Sequence, residues 1–108
     1  MTFTQYQEES KKTAIYPKKD GIVYTTLGLV GEAGEIANKV KKVIRDKNGI
    51  VDEETREKIS DEIGDVIWYI SNLCTELQLK LDLVATENLT KLFSRKSRGV
   101  LNGEGDKR

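Results

Sequence analysis

The stretch LGLVGEAGEIANKV, residues 27–40, carries the pattern that decides the fold. Apolar residues recur through and beyond it at intervals of three and four, which is the spacing of one face of an α-helix. The pattern predicts a helix from about Tyr24 to Lys47, ended by the turn-forming pair Asn48-Gly49. The apolar face predicted for this helix consists of Leu29, Ala33, Ile36, Val40, Val43 and Ile44.

The same pattern recurs thirty residues further along the chain. Glu32 and Glu35 of the first stretch correspond to Glu62 and Asp65 of the second, and a glycine lies between the two acids of each pair. We therefore expect two helices that pack against each other in equivalent roles, rather than a longer array of repeats. The apolar positions of the second helix are Ile59, Ile63, Val66, Ile70, Leu73 and Cys74.

Four helices and no strands are predicted for the whole chain. The only proline, Pro17, lies in a loop at residues 16–21, and Gly99 follows the last helical pattern. Residues 99–108 are expected to form a loop that is either a flexible tail or a lid. The predicted fold is all-α, in a single domain over residues 1–108. The predicted helices cover about residues 2–14, 24–47, 53–79 and 82–97.

Composition excludes several classes of function. The 18 basic residues balance the 18 acidic ones, so the positive charge typical of a protein that binds nucleic acid polymers is missing. The chain contains no histidine, which excludes histidine zinc sites and Ser-His-Asp triads. The single cysteine, Cys74, cannot form an intrachain disulfide and is expected in the core. No apolar run approaches the roughly 18 residues of a membrane span, and no secretory signal is present. We expect a cytoplasmic protein without a membrane partner.

The acidic pairs are the candidate functional residues. Positions i and i+3 of a helix share a face, so Glu32 and Glu35 lie together, as do Glu62 and Asp65. Each pair borders its apolar stripe, so packing of the two stripes would bring the four carboxylates together. A solvated charged face explains any single pair. Four converging carboxylates repel one another unless a cation neutralises them, and Mg²⁺ prefers such oxygen ligands. We therefore expect a Mg²⁺ site, in which Mn²⁺ is able to substitute.

LGLVGEAGEIANKV followed by DEIGDVIWYI resembles the MazG-like, all-α nucleoside triphosphate pyrophosphohydrolases. The hallmark of that family is an ExxE pair and an ExxD pair on adjacent helices, here residues 32–35 and 62–65. The similarity extends over about residues 20–98. All-α dUTPases and phosphoribosyl-ATP pyrophosphatases are similar to this pattern too. The resemblance implies a four-helix bundle that assembles as a homodimer or homotetramer.

The resemblance also implies a reaction. Enzymes of this family cleave a nucleoside triphosphate between its α- and β-phosphates, giving a monophosphate and pyrophosphate. Glu32, Glu35, Glu62 and Asp65 would bind Mg²⁺, and Glu35 or Glu62 would be the catalytic carboxylate that orients or deprotonates water. The implied role is the removal of non-canonical or excess nucleotides. The alternative is a non-catalytic helical module of the same fold that binds a nucleotide or a protein.

Four further residues are implied to bind the substrate. Tyr69, one turn beyond Asp65, would stack on or hydrogen-bond the nucleoside, although a tyrosine at the rim between helices explains it equally. The segment NLTKLFSR resembles the Asn-x-x-Lys element that lies near the phosphates in the family. Asn88, Lys91 and Arg95 share one helix face and would contact the triphosphate. A charged outer helix face explains these three residues too.

Overall fold

The computed structural model describes residues 1–108 and contains helices and turns but no strands. The predicted all-α class with four helices is confirmed. Short 3₁₀ turns at Lys11–Thr13 and Lys18–Asp20 connect the first two helices. No helix combines the length and the apolar character that crossing a bilayer demands. The four helices are α1 (Phe3–Ser10), α2 (Gly21–Asp46), α3 (Glu53–Glu76) and α4 (Leu81–Ser97).

The helix ends differ from the predicted ones by a few residues. The first helix ends at Ser10 rather than near residue 14, because the chain tightens there into a 3₁₀ turn. The third helix ends at Glu76, three residues before Leu79. Gln78 adopts the left-handed conformation (φ 57°), and the Leu79 N–H bonds back to the Cys74 carbonyl. This is the pattern of a Schellman cap, which stops a helix.

Helices α2 and α3 form a long antiparallel hairpin, and their contact is the most extensive in the chain. The hairpin register is visible at both ends. Gly21 at the start of α2 lies against the Glu76 carboxylate at the end of α3. At the other end, Lys47 donates hydrogen bonds to Asp52 (2.6 Å) and to Thr55 (2.9 Å). The predicted pairing of the two similar helices is therefore present.

The best-buried part of the molecule is polar. Thr25, Ser71 and Asn72 are its largest fully buried side chains. Ser71 shares a 2.9 Å hydrogen bond with Ser10 of α1, and Thr25 donates to the Gly21 carbonyl at 2.7 Å. Hydrogen bonding is what makes the burial of such groups tolerable. Helix α1 is therefore attached to α3 by specific polar contacts.

The predicted apolar stripes are only partly covered. Val43 and Cys74 are buried, whereas Val40, Ile44 and Ile63 are exposed. Helix α4 contacts α1 and the end of α3 and so does not close over the hairpin. The radius of gyration is 16.9 Å, compared with about 13 Å for a compact domain of this length. One chain has too few helices to bury both stripes of the hairpin.

The C-terminal segment, residues 99–108, folds back onto the end of α4. The Arg108 guanidinium donates hydrogen bonds to the carbonyls of Val100 (3.1 Å), Leu101 (3.0 Å) and Gly105 (2.7 Å). Arg95 of α4 donates to the Asp106 carbonyl at 2.6 Å. The segment is a loop, as predicted, and whether it acts as a flexible tail or a lid stays a prediction.

Candidate active site

Three of the four predicted carboxylates meet at one point of the hairpin. Glu32 extends from α2, and Glu62 and Asp65 extend from α3 one turn apart. One oxygen atom from each of these side chains lies within 4.8 Å of the other two. Glu35, the fourth predicted member, is exposed on α2 and lies outside this group. We call Glu32, Glu62 and Asp65 the carboxylate cluster.

The charges of the cluster influence one another. The neighbouring Glu62 carboxyl raises the pKa of Glu32 above its ordinary value of 4.5, and partial burial, Asp65 and Glu35 raise it further. The pKa of Glu62 is lowered instead, because the Glu32 carboxyl and Lys39 hydrogen-bond to its carboxylate. The Lys39 Nζ to Glu62 Oε1 distance is 3.0 Å. The cluster thus holds excess negative charge, which favours the binding of a proton or a cation.

An aromatic cluster adjoins the carboxylates towards the start of α2. Tyr16 and Tyr24 stack with their ring centroids 4.9 Å apart, and Trp68 and Tyr69 meet edge to face at 5.0 Å. Burial, Tyr24 and then the carboxylates of Glu32 and Asp65 raise the pKa of Tyr69. The Tyr69 hydroxyl is therefore close to both the carboxylates and Tyr24.

The predicted phosphate-binding residues lie elsewhere in the chain. Asn88 and Lys91 are exposed on α4, which packs against α1 and α3 rather than along α2. Arg95 is buried, and its guanidinium is directed to the C-terminal segment through the Asp106 carbonyl. Within one chain, the structure does not bring these three side chains together with the carboxylate cluster.

Comparison with known proteins identifies the family. The family model described as the MazG nucleotide pyrophosphohydrolase domain matches residues 23–100. The chain belongs to the MazG family. It is also 50% identical over 109 aligned positions to the gene 37 protein of Mycobacterium phage L5, covering 95% of this chain and 96% of the phage protein. No solved structure matches the chain.

The carboxylates of this MazG domain fit a small divalent cation. Ligands of an octahedral Mg²⁺ lie about 3 Å apart when adjacent and about 4.2 Å apart when opposite. The cluster oxygens, which lie within 4.8 Å of one another, are therefore close enough to share one ion after the side chains rotate. Carboxylate oxygens suit Mg²⁺ and Mn²⁺, and the site offers no sulfur or imidazole that would favour softer metals. Glu32, Glu62 and Asp65 are the side chains that could hold such an ion.

Three residues near the site were not predicted to act there. Tyr6 of α1 lies near Asp65, whose charge adds to burial in raising the pKa of the tyrosine. Tyr16 belongs to the aromatic cluster, in which its ring meets Trp68 edge to face. Lys39 contacts the carboxylate cluster through its ion pair with Glu62. Of the three, only Lys39 could have been found from the sequence, because it lies one turn beyond Glu35 on the same helix face. The two tyrosines come from other segments of the chain.

The glycines of the MazG domain differ in their surroundings. A Cβ atom at Gly34 or Gly64 would meet nothing within 4 Å, so neither glycine serves a close contact within the chain. A Cβ at Gly28 would instead overlap the Tyr69 ring. Gly28 therefore creates the space in which Tyr69 packs against α2 beside the carboxylate cluster.

Proposed function

We propose that the protein is a Mg²⁺-dependent nucleotide pyrophosphohydrolase, which cleaves ribo- or deoxyribonucleoside triphosphates between the α- and β-phosphates. One observation carries the proposal. Residues from both acidic motifs of a MazG domain, Glu32 from one and Glu62 and Asp65 from the other, converge on one point. The products are a nucleoside monophosphate and pyrophosphate, and the proposed role is the removal of non-canonical or excess nucleotides.

The carboxylates have distinct proposed roles. Glu32, Glu62 and Asp65 hold the cation, which when bound neutralises phosphate charge and makes water a better nucleophile. Glu35 is exposed and close enough to influence Glu32, so it is free to orient or deprotonate the attacking water. Glu62 has two proposed roles, to bind the cation and to take part in catalysis. Because the chain contains no histidine, a carboxylate is the proposed base.

The nucleoside is proposed to lie on the aromatic side of the carboxylates. Tyr69 is placed to stack on the base or to hydrogen-bond the sugar, with Tyr24 beside it at a ring distance of 6.3 Å. Asn88, Lys91 and Arg95 remain proposed phosphate contacts, and in an assembly they would come from a second subunit. Nucleoside triphosphates are metabolites of the cytoplasm, which is therefore the proposed location.

A homodimer or homotetramer is the proposed assembly. Large apolar side chains on α2 and α3 remain exposed, among them Val23 (62%), Leu27 (67%) and Val30 (66%) at helical spacing. A continuous exposed apolar surface of this kind is unusual on a monomer and typical of an interface. A second copy of the chain offers the same apolar surface and is the simplest partner to cover it.

The test is pyrophosphate release from a panel of canonical and modified nucleoside triphosphates, with Mg²⁺ and with EDTA. Release of pyrophosphate and monophosphate is expected with Mg²⁺, and none with EDTA. Glu62→Gln should lower turnover by at least about a hundredfold, because it removes a charged ligand from the cluster. Glu57→Gln, an exposed change on the same helix, is the matched control. Circular dichroism checks that both variants keep their helices.

Either of two results would contradict the proposal. The first is full turnover by Glu62→Gln, which would place the reaction elsewhere. The second is the absence of turnover across the whole panel while Mg²⁺ still binds. That outcome would favour the alternative of a helical module that binds a nucleotide or a protein without cleaving it.

A further inference from the structure

A groove between α2 and α3 begins at the carboxylate cluster and extends away from the aromatic side. Its volume is about 580 Å³, and Glu62 is one of its lining residues. Four lysines also line it, which is the largest group of one residue type in the groove. Cavities of this size hold small ligands in other proteins. The lysines are Lys39, Lys42, Lys47 and Lys58.

Only one of these lysines lacks a partner. Lys39 binds Glu62 at 3.0 Å, Lys47 binds Asp52 at 2.6 Å, and Lys58 binds Glu54 at 2.8 Å. Lys42 makes no salt bridge or hydrogen bond within the chain. Two acids, Asp46 and Asp61, also line the groove. The free Lys42 ammonium is the group best able to bind an additional anion there.

The acids of the groove leave Lys42 available. Asp46 is occupied by a bidentate interaction with Arg45, with both nitrogen–oxygen distances at 2.8 Å. Asp61 is exposed and takes part in no ion pair. Lys42 follows Lys39 by three residues, about 4.5 Å along the helix axis. Side chains of a helix lean towards its N-terminus, which directs Lys42 towards the Glu62 end of the groove.

The hairpin therefore carries three kinds of side chain in sequence along its length. Tyr24 and Tyr69 form the aromatic side, the carboxylates lie in the middle, and the lysines follow. A nucleoside triphosphate bound to Mg²⁺ has the same order: an aromatic base, a metal-bound phosphate and a terminal polyanion. Matching charge and shape in this way defines one orientation of the ligand.

We propose that the lysine groove receives the β- and γ-phosphates of the substrate, and that Lys42 is their principal protein cation. This inference rests on the proposed function for the identity of the ligand. Water adds to the α-phosphorus, and the bond from that atom to the bridging oxygen breaks. The electron pair leaves on pyrophosphate, and the protons of the water pass to the base and then to solvent. Lys42 and Lys39 stabilise the charge on the departing group.

Calorimetric titration of pyrophosphate in the presence of Mg²⁺ tests the groove without requiring turnover. Lys42→Ala should weaken pyrophosphate binding about tenfold, as expected for the loss of one charge-assisted hydrogen bond. Lys41→Ala is the matched control, since it removes the same charge from the adjacent position, which does not line the groove. Its affinity should stay within about twofold of the original protein. The affinity for inorganic phosphate, titrated in parallel, should fall less than about threefold in Lys42→Ala, because a single phosphate makes fewer contacts with the groove.

The outcomes distinguish the binding of pyrophosphate in the groove from the hydrolysis of nucleotides. If Lys42→Ala and Lys41→Ala weaken pyrophosphate binding equally, the proposed role of the groove is wrong, even if the protein hydrolyses nucleotides. The same holds if Lys42→Ala weakens phosphate and pyrophosphate binding to the same extent. Lys42-dependent pyrophosphate binding in a protein that hydrolyses no nucleotide would support the groove and reject the reaction. Sedimentation adds a third outcome. A Lys42→Ala protein with changed assembly and unchanged pyrophosphate affinity would assign Lys42 to a subunit contact and overturn the inference.

Discussion

Asp52 joins the two long helices through a single side chain. It is the N-cap of α3, where its carboxylate accepts a 2.8 Å hydrogen bond from the Thr55 N–H. The same carboxylate accepts a 2.6 Å hydrogen bond from Lys47, just beyond the end of α2. Lys47 first, and Thr55 second, hold the pKa of Asp52 well below its ordinary value of 3.8. The cap and the ion pair therefore stabilise the same end of the hairpin.

Asp52→Asn isolates the charge, because asparagine is an equally good N-cap. A depressed carboxyl pKa contributes stability that is present above pH 3.8 and is lost as the pH falls below it towards the folded-state pKa. The variant should thus melt a few degrees below the original protein at pH 7, and the gap should narrow below pH 4. Thermal unfolding at several pH values measures this, with Glu57→Gln as a control. A gap of constant size from pH 7 to pH 3 would show that the charge is not responsible.

At the scale of single residues, the sequence predicted the members of the carboxylate cluster that lie on the packed faces of the two helices. The i,i+3 spacing placed Glu62 and Asp65 together, and the internal similarity placed Glu32 opposite them. The spacing could not show that α2 turns Glu35 outwards, because that depends on how the hairpin packs. Tyr6 reaches the site from α1, and a contact across so many residues leaves no local pattern.

At the scale of elements, the Gln7 side chain connects α1 to the end of α3 and the start of α4. The Gln7 amide donates to Thr75 Oγ1 at 3.1 Å and to the Leu79 carbonyl at 2.9 Å, and its oxygen accepts from the Leu81 N–H at 2.9 Å. Three hydrogen bonds thus connect α1 to the end of α3 and the start of α4. Gln7 is itself buried, so no water replaces these bonds when they are lost.

Gln7→Ala should lower the free energy of unfolding by about 1–3 kcal/mol, because it leaves the buried Leu81 N–H without a partner. Urea denaturation measures the loss, and Glu8→Gln, an exposed change on the same helix, should have little effect. Hydrogen exchange gives a local readout, since the Leu81 amide should lose its protection first. A variant with unchanged stability would mean that α1 is not fixed to the turn through Gln7.

The helices and the pairing of α2 with α3 were predictable, whereas the degree to which their apolar faces are covered was not. Apolar spacing indicated α2 and α3, and Pro17 and the glycines separated the four helical stretches. The Asn48-Gly49 pair correctly marked the end of α2, which stops at Asp46. The same spacing predicted that both apolar stripes would be buried, yet residues such as Val40 and Ile63 are exposed. The fully buried positions are polar instead. Periodicity reports which face is apolar and contains no information on what will cover it.

At the scale of the molecule, the proposed assembly depends on the exposed apolar stripe. Leu27 is 67% exposed in one chain, and Asp at this position should cost little in a monomer but much in an apolar interface. The original protein should sediment as a dimer or tetramer, and Leu27→Asp should sediment as a monomer. Ile15→Asp is the control, since Ile15 is 94% exposed in the segment that precedes α2. A stable monomer with full activity would refute the proposed assembly.

In the proposed assembly, residues of α4 from one subunit would reach the carboxylates of another. In one chain, Lys91 lies on a helix that does not pack along α2, whereas the cluster of Glu32, Glu62 and Asp65 is complete within the chain. Leu27→Asp should therefore keep Mg²⁺ binding while losing turnover.

Mixing Glu62→Gln and Lys91→Ala subunits tests whether Lys91 of one subunit contributes to the site of the other. If Lys91 acts across the interface, each mixed dimer contains one intact site, so random pairing should restore roughly a quarter of the activity. Mixtures that stay inactive would place Lys91 and Glu62 in the same subunit's site, whereas full turnover by Lys91→Ala alone would place Lys91 outside the site.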